Sequence, residues 1–266
     1  MEKKKMVCLT IVLIGIFIVV WLLFNWRMFM SDDYKEKRAY DVEDYIRLKD
    51  YKIEKHCETC KGNGYITTAS FQNLPETITN TYIKKQEAFE AIAQNNAATL
   101  DNHVYNSTYY DVVSVLCKAS VAYEDKKLPN KTYDLYGFNV HLKTGEIVTN
   151  DELLEIFQIR SYDMFEEIFS SISGPMSYFG AYAVFESNDD DPESQEYVFD
   201  RMLQDIYDNR HHYCKELDGH NDLVHLFISE DHLYVAFFAQ DILNAIQQPQ
   251  DELENAEPII MQIDHR

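Results

Sequence analysis

The feature that most constrains this chain is an uncharged apolar run near its start. The 19 residues from Met6 to Phe24 include no Asp, Glu, Lys or Arg. At about 1.5 Å per residue, a helix of this length nearly spans a hydrocarbon core of about 30 Å. A cleaved signal peptide would have a shorter apolar region, of about 7–15 residues, that ends in a small-residue cleavage site. We therefore predict an uncleaved transmembrane anchor over residues 6–26.

The charges beside the anchor predict its orientation. Lys3, Lys4 and Lys5 precede the apolar run, whereas only Arg27 follows it closely. Positively charged flanks stay on the cytoplasmic side of a membrane. We therefore expect a short cytoplasmic tail over residues 1–5, a single-pass location in the cell membrane, and an extracytoplasmic C-terminal domain.

The chain that follows the anchor is strongly acidic. The formal net charge of the sequence is −21, and residues 1–26 contribute three lysines and one glutamate, which leaves −23 for residues 27–266. A negative field repels the phosphates of nucleic acids and lipids and attracts cations or basic proteins, although it also serves solubility alone. We expect membrane contact through residues 6–26, no nucleic-acid binding, and a basic protein or a cell-wall component as the partner.

Periodicity predicts an α+β domain over residues 51–263, after a juxtamembrane stalk at residues 27–50. The domain is one unit or two subdomains that divide near residues 105–130. Helices and strands alternate without a strict βαβ rhythm, which favours a largely antiparallel sheet with packed helices, preceded by one transmembrane helix. The predicted strands are 51–56, 65–71, 112–123, 136–142, 223–229, 233–238 and 259–263, and the predicted helices are 76–98, 153–172, 197–213 and 239–246.

Four cysteines beyond the anchor allow two kinds of site. The run Cys57-Glu-Thr-Cys60-Lys-Gly-Asn-Gly is similar to the zinc knuckle of J-type chaperones, in which two thiolates bind the metal. Zinc needs two further ligands, for which Cys117, Cys214 and the His211-His212 pair are the candidates. The alternative is a disulfide among Cys57, Cys60, Cys117 and Cys214, because thiols outside the membrane tend to oxidise. A zinc-stabilised or redox envelope protein is therefore the alternative function.

The sequence shows no catalytic motif. It contains no Gly-rich phosphate loop, no G-x-S-x-G elbow and no H-E-x-x-H pair. Its 45 acidic residues are too many for a pair suited to acid and base catalysis to be selected by pattern. We therefore assign no catalytic or cofactor-binding residue, and we expect a binding protein rather than an enzyme.

One segment resembles a known family of bacterial extracytoplasmic domains. Residues Tyr136–Leu154 consist of a predicted strand, a Lys-Thr-Gly turn and a short helix with capping-box spacing at Thr149-Asn-Asp-Glu152. This arrangement is similar to the domain shared by lysozyme-sensing anti-sigma factors and the N-terminal accessory region of some peptidoglycan deacetylases. The strand at 112–121 and the segment Ser229–Ile242 are also similar, so the resemblance covers residues 50–263.

The chain also departs from that family. The family's Gly-Gly-Ala-His stretch is replaced by Lys127-Leu-Pro-Asn130, and the Pro-Tyr usual after the late strand is absent at Ala239-Gln240. The predicted cytoplasmic tail has no sigma-binding domain. The resemblance therefore implies a binding or sensing module of the cell envelope, for a lysozyme-like protein or a wall component, and it does not imply control of a sigma factor.

Overall fold

The computed structural model describes residues 40–54, 63–95, 98–123, 131–174, 195–248 and 256–264. The predicted cytoplasmic tail, the anchor Met6–Trp26 and most of the stalk lie outside these residues. Within the described part of the chain, no helix is both long and apolar enough to cross a membrane. The strands are β1 Ile46–Glu54, β2 Asn63–Phe71, β3 Ala98–Tyr109, β4 Val112–Tyr123, β5 Lys131–His141, β6 His225–Ser229, β7 His232–Phe237 and β8 Ile259–Gln262; the helices are α1 Glu76–Asn95, α2 Asn150–Phe157, α3 Ser161–Ser173, α4 Gln195–Glu216 and α5 Ala239–Ala245.

The strands form two sheets. The first sheet has the order β1-β2-β3-β4-β5, and the second has the order β6-β7-β8. Neighbouring strands are antiparallel except for β2 and β3, which are parallel. The prediction of an α+β fold with a largely antiparallel sheet and packed helices is therefore confirmed.

Three apolar clusters hold the layers together. The first lies between α1 and the five-stranded sheet, where Tyr82 and Phe89 pack against β4 and β5. The second lies between the two sheets and includes Leu116 and Phe227. The third lies between the three-stranded sheet and helices α2 to α5, around Phe165 and Phe169 of α3. The chain thus stacks α1, the large sheet, the small sheet and the remaining helices in that order.

Strand β4 is buried on both faces. Val113, Val115 and Cys117 face α1, whereas Ser114 and Leu116 face the small sheet. The alternation of small polar and apolar residues predicts one buried and one solvated face, but the small sheet covers the second face. The serine is tolerated there because its hydroxyl accepts a hydrogen bond from the backbone N–H of Ile228 at 2.9 Å.

Side chains from other elements cover the outer edge of β6. The amide of Asn139 donates to the Leu226 carbonyl at 2.9 Å, and Asn150 Oδ1 accepts from the Leu226 N–H at 3.3 Å. Ser114 accepts from Ile228, as described above. A strand edge that ends its sheet would otherwise leave buried backbone groups without partners, at a cost of about 1–3 kcal/mol each.

The start of α2 follows the predicted cap. Thr149 begins α2 as its N-cap, because its hydroxyl accepts from the Glu152 N–H while the Glu152 carboxylate accepts from the Thr149 N–H. These hydrogen bonds lower the pKa of Glu152. The capping box predicted at this position is therefore confirmed.

Three strands and one helix differ from the sequence expectation, since β5 begins at Lys131 rather than at residue 136, and the helix predicted over 153–172 is divided into α2 and α3. Strand β1 begins at Ile46, within the predicted stalk, because Ile46 is buried in the cluster beneath α1. Strand β3 has no counterpart among the predicted strands, and it follows an α1 that ends at Asn95, before the predicted end at residue 98. Residues 105–130, where the sequence leaves room for two subdomains, include the antiparallel pairing of β3 with β4.

Candidate functional site

A cleft of about 580 Å³ opens where β5, the start of β6 and α5 meet. Three carboxylates line it, from Asp134, Asp222 and Asp241, together with the imidazole of His225. The partly exposed Phe238 and Leu223 supply apolar surface, whereas Leu135 and Phe237 are buried beneath it. We call this group of residues the acidic cleft.

Each carboxylate of the acidic cleft is placed by a different element. Asp134 lies on β5 opposite Ala119 of β4. Asp222 lies in a 3-10 turn, Asn221–Leu223, and Asp241 lies in the first turn of α5. Residues that are far apart in the sequence are therefore brought to one opening by the packing of the two sheets.

The turn that carries Asp222 is held by a buried side chain. Asn221 is 5% exposed, and its Oδ1 accepts a hydrogen bond from the Ser161 hydroxyl at 2.7 Å. The Asn221 carbonyl accepts from the side-chain amide of Asn150 at 2.6 Å. Because these bonds tie the turn to the starts of α2 and α3, the position of Asp222 is set by the helical layer.

The cleft is negative at neutral pH. Desolvation lowers the pKa of His225, and Lys85 lowers it further, while the nearby Asp134 and Asp241 act in the opposite direction. The imidazole is therefore uncharged near pH 7. Lys85 approaches Asp134 at 3.1 Å, but both side chains are about half exposed, so this ion pair is weak.

A second cleft, of about 500 Å³, lies beyond the other end of β6. It is bordered by Asp41, Glu230 and Asp231 and by the hydroxyl-bearing residues Ser107 and Thr108. Glu230 and Asp231 form the tight turn between β6 and β7, with φ angles of 50° and 67°. Both ends of β6 are therefore acidic, but the apolar phenylalanine surface belongs to the first cleft.

The predicted cysteine sites are only partly covered by the structure. Cys57 and Cys60 lie outside the described residues. Cys117 and Cys214 are free thiols, so neither forms a disulfide in this structure, and they lie in two different apolar clusters. Burial raises the pKa of both thiols, to about 11 for Cys214. Each is therefore protonated at neutral pH.

The two histidines named as candidate zinc ligands contact residues of α3 and α4. His211 Nδ1 lies 2.9 Å from the Tyr162 hydroxyl and 3.5 Å from Glu166, while His212 Nε2 lies 3.3 Å from Glu216. Cys214, by contrast, is fully buried. Among the residues that the structure describes, no group of three His, Cys, Asp or Glu side chains is arranged to hold a metal ion.

Comparison with known proteins gives a distant likeness of fold. No protein-family model matches the chain, and no curated protein matches it. A crystal structure of a DUF3298 family protein from Pseudomonas aeruginosa PAO1 is similar at 7% identity, with 85% of this chain and 93% of that chain covered and a TM-score of 0.42. This is a distant likeness of fold.

The geometry of the acidic cleft suits a cationic group. A lysine or arginine side chain can lay its apolar stem on aromatic surface while its charged end meets carboxylates. Sequence reasoning missed these residues because α2, α3 and α4 separate Asp134 from Asp222 in the sequence, and both lie among 45 acidic residues. The one local signal is the aromatic pair Phe237-Phe238 directly before the acidic start of α5.

Proposed function

We propose that this protein is a membrane-anchored extracytoplasmic binding or sensing module of the cell envelope, whose acidic cleft binds cationic side chains of a basic protein such as lysozyme. The observation that carries the proposal is the convergence of Asp134, Asp222 and Asp241 on one cleft that also exposes part of Phe238. The predicted anchor, the net charge of −21 and the resemblance of residues 50–263 to an envelope-sensing family support it.

The physical basis of binding is a sum of weak terms. An exposed ion pair contributes roughly 0–1 kcal/mol, so one carboxylate does not suffice. Three carboxylates in one cleft, within a chain of net charge −21, attract a basic partner over a distance of about one Debye length. Affinity should therefore fall steeply with salt.

The test measures binding of a lysozyme to the purified full chain in detergent by isothermal titration calorimetry. We expect a Kd below about 1 mM at low ionic strength, weakened at least tenfold by about 0.3 M salt. An acidic protein of the same fold and size as lysozyme serves as the control partner and should not bind. Lysozyme binding that is absent or insensitive to salt would remove the proposal.

A pair of triple variants separates the cleft from the overall charge. Asp134→Asn, Asp222→Asn and Asp241→Asn together remove three charges from the cleft. Glu76→Gln, Glu87→Gln and Glu155→Gln remove three from exposed helix positions. We expect the cleft variant to lose about tenfold or more in affinity and the control about twofold. Equal losses would mean that overall charge, and not the cleft, recruits the partner.

A cell-wall component is the other partner that this proposal allows. Soluble peptidoglycan fragments are uncharged or acidic over much of their surface, so their binding should not depend on the three cleft carboxylates. If the fragments bind both triple variants as well as they bind the unchanged chain while lysozyme does not bind, the partner is the wall and the site lies elsewhere.

A further inference from the structure

The hairpin of β1 and β2 is joined to the rest of the large sheet by little backbone pairing. Strands β3 and β4 pair along their whole length, from Ala98 opposite Tyr123 to Tyr109 opposite Val112. In the described residues, β2 and β3 share one backbone pair, between Tyr65 and Asp101. A ladder of neighbouring hydrogen bonds is cooperative, whereas one isolated pair is not.

Side-chain amides replace the missing ladder at this seam. The Asn102 amide accepts a hydrogen bond from the Thr67 N–H at 2.7 Å and donates one to the Thr67 carbonyl at 2.8 Å. Gln86, on α1, accepts from the Ala69 N–H at 2.8 Å. Each net hydrogen bond contributes about 1 kcal/mol, and a side chain releases its bond by a change of rotamer without moving a strand. We call Asn102 and Gln86 the amide latch.

The apolar contacts of the hairpin are confined to one layer. Ile46, Ile66 and Ala69 belong to the cluster beneath α1. No residue of β1 or β2 is part of the cluster between the sheets or of the cluster around the other helices, among the residues that the structure describes. Separation of the hairpin therefore leaves the contacts of β3, β4 and β5 with the small sheet intact.

A buried thiol lies directly beneath the latch. Cys117 is 0% exposed, and its Sγ lies 3.5 Å from the Asn102 amide nitrogen. Cys214 is also 0% exposed but belongs to the cluster around the other helices. The two thiols therefore report separately on the seam and on the opposite side of the molecule.

We propose that the β1–β2 hairpin is a conformational unit that separates from β3 while the rest of the fold persists, and that the amide latch sets how often it opens. Opening uncovers the edge of β3 and frees the Asn102 side chain that covers one side of the Cys117 thiol, while α1 covers the other side. The proposal is independent of the acidic cleft, since none of the residues that line the cleft lies on β1, β2 or the latch.

The first experiment is native-state hydrogen exchange on the full chain. Amides of β2, including Thr67 and Ala69, should exchange at least about tenfold faster than those of β4 and β5, because a sub-global opening releases them. Equal exchange rates for β2 and β4 would overturn the proposal. This measurement needs no variant, so it does not depend on whether a substitution is tolerated.

The second experiment uses the two thiols. Iodoacetamide labelling under native conditions is mapped by peptide mass spectrometry, so that Cys117 and Cys214 are read separately. In Asn102→Leu, which keeps the branched shape and heavy-atom count of the side chain but removes the amide, Cys117 should be labelled about tenfold faster or more, and Cys214 should change less than about twofold.

The matched control is Asn209→Leu, since the Asn209 amide bonds to Asp205 on the exposed surface of α4. It should leave the labelling of both cysteines unchanged. If Asn102→Leu accelerates Cys117 and Cys214 equally, the whole fold has been destabilised and the hairpin is not a separate unit. If it accelerates neither, the amide latch does not control opening. Either result overturns the proposal.

Discussion

The two borders of strand β3 differ in what holds them. Towards β4 the border is a continuous antiparallel ladder, and β4 is buried beneath α1 on one face and beneath the small sheet on the other. Towards β2 the border, in the described residues, is one backbone pair supplemented by Asn102 of β3 and by Gln86 of α1. One sheet therefore combines a region fixed from both faces with a region fixed from one. We expect position in the layer order, more than membership of the sheet, to determine the local stability of a strand.

The largest expected effect comes from a substitution in the region that is fixed from both faces, where β5 packs closely against β4. A Cβ added at Gly137 of β5 would lie 2.2 Å from the Val115 carbonyl oxygen and 2.9 Å from the Leu116 Cα, so the backbone of β4 would have to move. We expect Gly137→Ala to lower the free energy of unfolding by about 3 kcal/mol, measured by urea denaturation. Gly219→Ala is the control, since a Cβ there meets nothing within 4 Å, and its φ of +89° predicts a loss of about 1 kcal/mol. A smaller loss at Gly137 than at Gly219 would contradict the close approach of β5 to β4.

The next largest effect concerns the hydrogen bond between Ser114 of the large sheet and Ile228 of the small sheet. Ser114→Ala leaves the buried Ile228 N–H without its acceptor and should cost about 1–3 kcal/mol in the same assay. Ser120→Ala, on the same face of β4, removes a long hydrogen bond of 3.4 Å to the Asp101 carbonyl and should cost less. Backbone amides of β6 and β4 should exchange faster with solvent. Exchange in β2 should change no more than the change in the global free energy of unfolding accounts for. An equal cost for the two serines would argue against the edge of β6 depending on Ser114.

A smaller effect involves an ion pair that joins β4 to the segment before β8. Lys118 contacts Glu257, and this contact is the largest cause of the lowered pKa of Glu257. Because the pKa of Glu257 is lower in the folded state, the stabilisation is present above the unfolded pKa, near 4.5, and is lost as pH falls through the folded pKa. Lys118→Met should cost up to about 1 kcal/mol at neutral pH, since Glu257 is partly exposed, and less under acid conditions. A cost that is the same at both pH values would exclude the charge of Glu257 as its source.

The smallest expected effect is on the pH dependence of stability. It compares His225 in the acidic cleft with the seam between β2 and β3. The folded-state pKa of His225 lies below its ordinary value, so the folded protein resists protonation there and stability falls as pH decreases through that range. We expect His225→Gln to reduce the loss of stability between about pH 7 and pH 5, measured by urea denaturation at each pH. Thiol labelling of Cys117 should show the same pH dependence in both proteins. An identical loss of stability in both would mean that His225 makes no contribution.

Sequence periodicity predicts the elements whose side chains alternate regularly. Helix α1, strands β4 and β5 and the capping box at Thr149 follow the predicted pattern. Strand β3 was missed because Asn102, His103 and Asn106 interrupt its apolar alternation. In the structure, the polar side chain of Asn102 forms hydrogen bonds with β2. The start of β1 was missed because a charged edge strand has the composition of a stalk.

The acidic cleft is beyond the reach of pattern reasoning. Asp134, Asp222 and Asp241 share no motif, and they meet because the small sheet packs across β5. Cysteine chemistry was predicted from spacing, but the positions of Cys117 and Cys214 depend on which faces of β4 and α4 are buried. Long-range packing therefore decides which polar residues converge, and local periodicity does not predict that packing.

The side-chain cover on the edge of β6 has a consequence for crowding. A membrane anchor would hold many copies of this domain at high local concentration, a condition under which exposed strand edges join into fibrils. Ser114, Asn139 and Asn150 already occupy the backbone groups that a neighbouring copy would need on β6. The opposite end of the molecule is guarded by charge, since β1 ends the large sheet and exposes Arg47, Lys49 and Lys52. The edges of β1 and β6 are therefore poor templates for pairing between neighbouring copies.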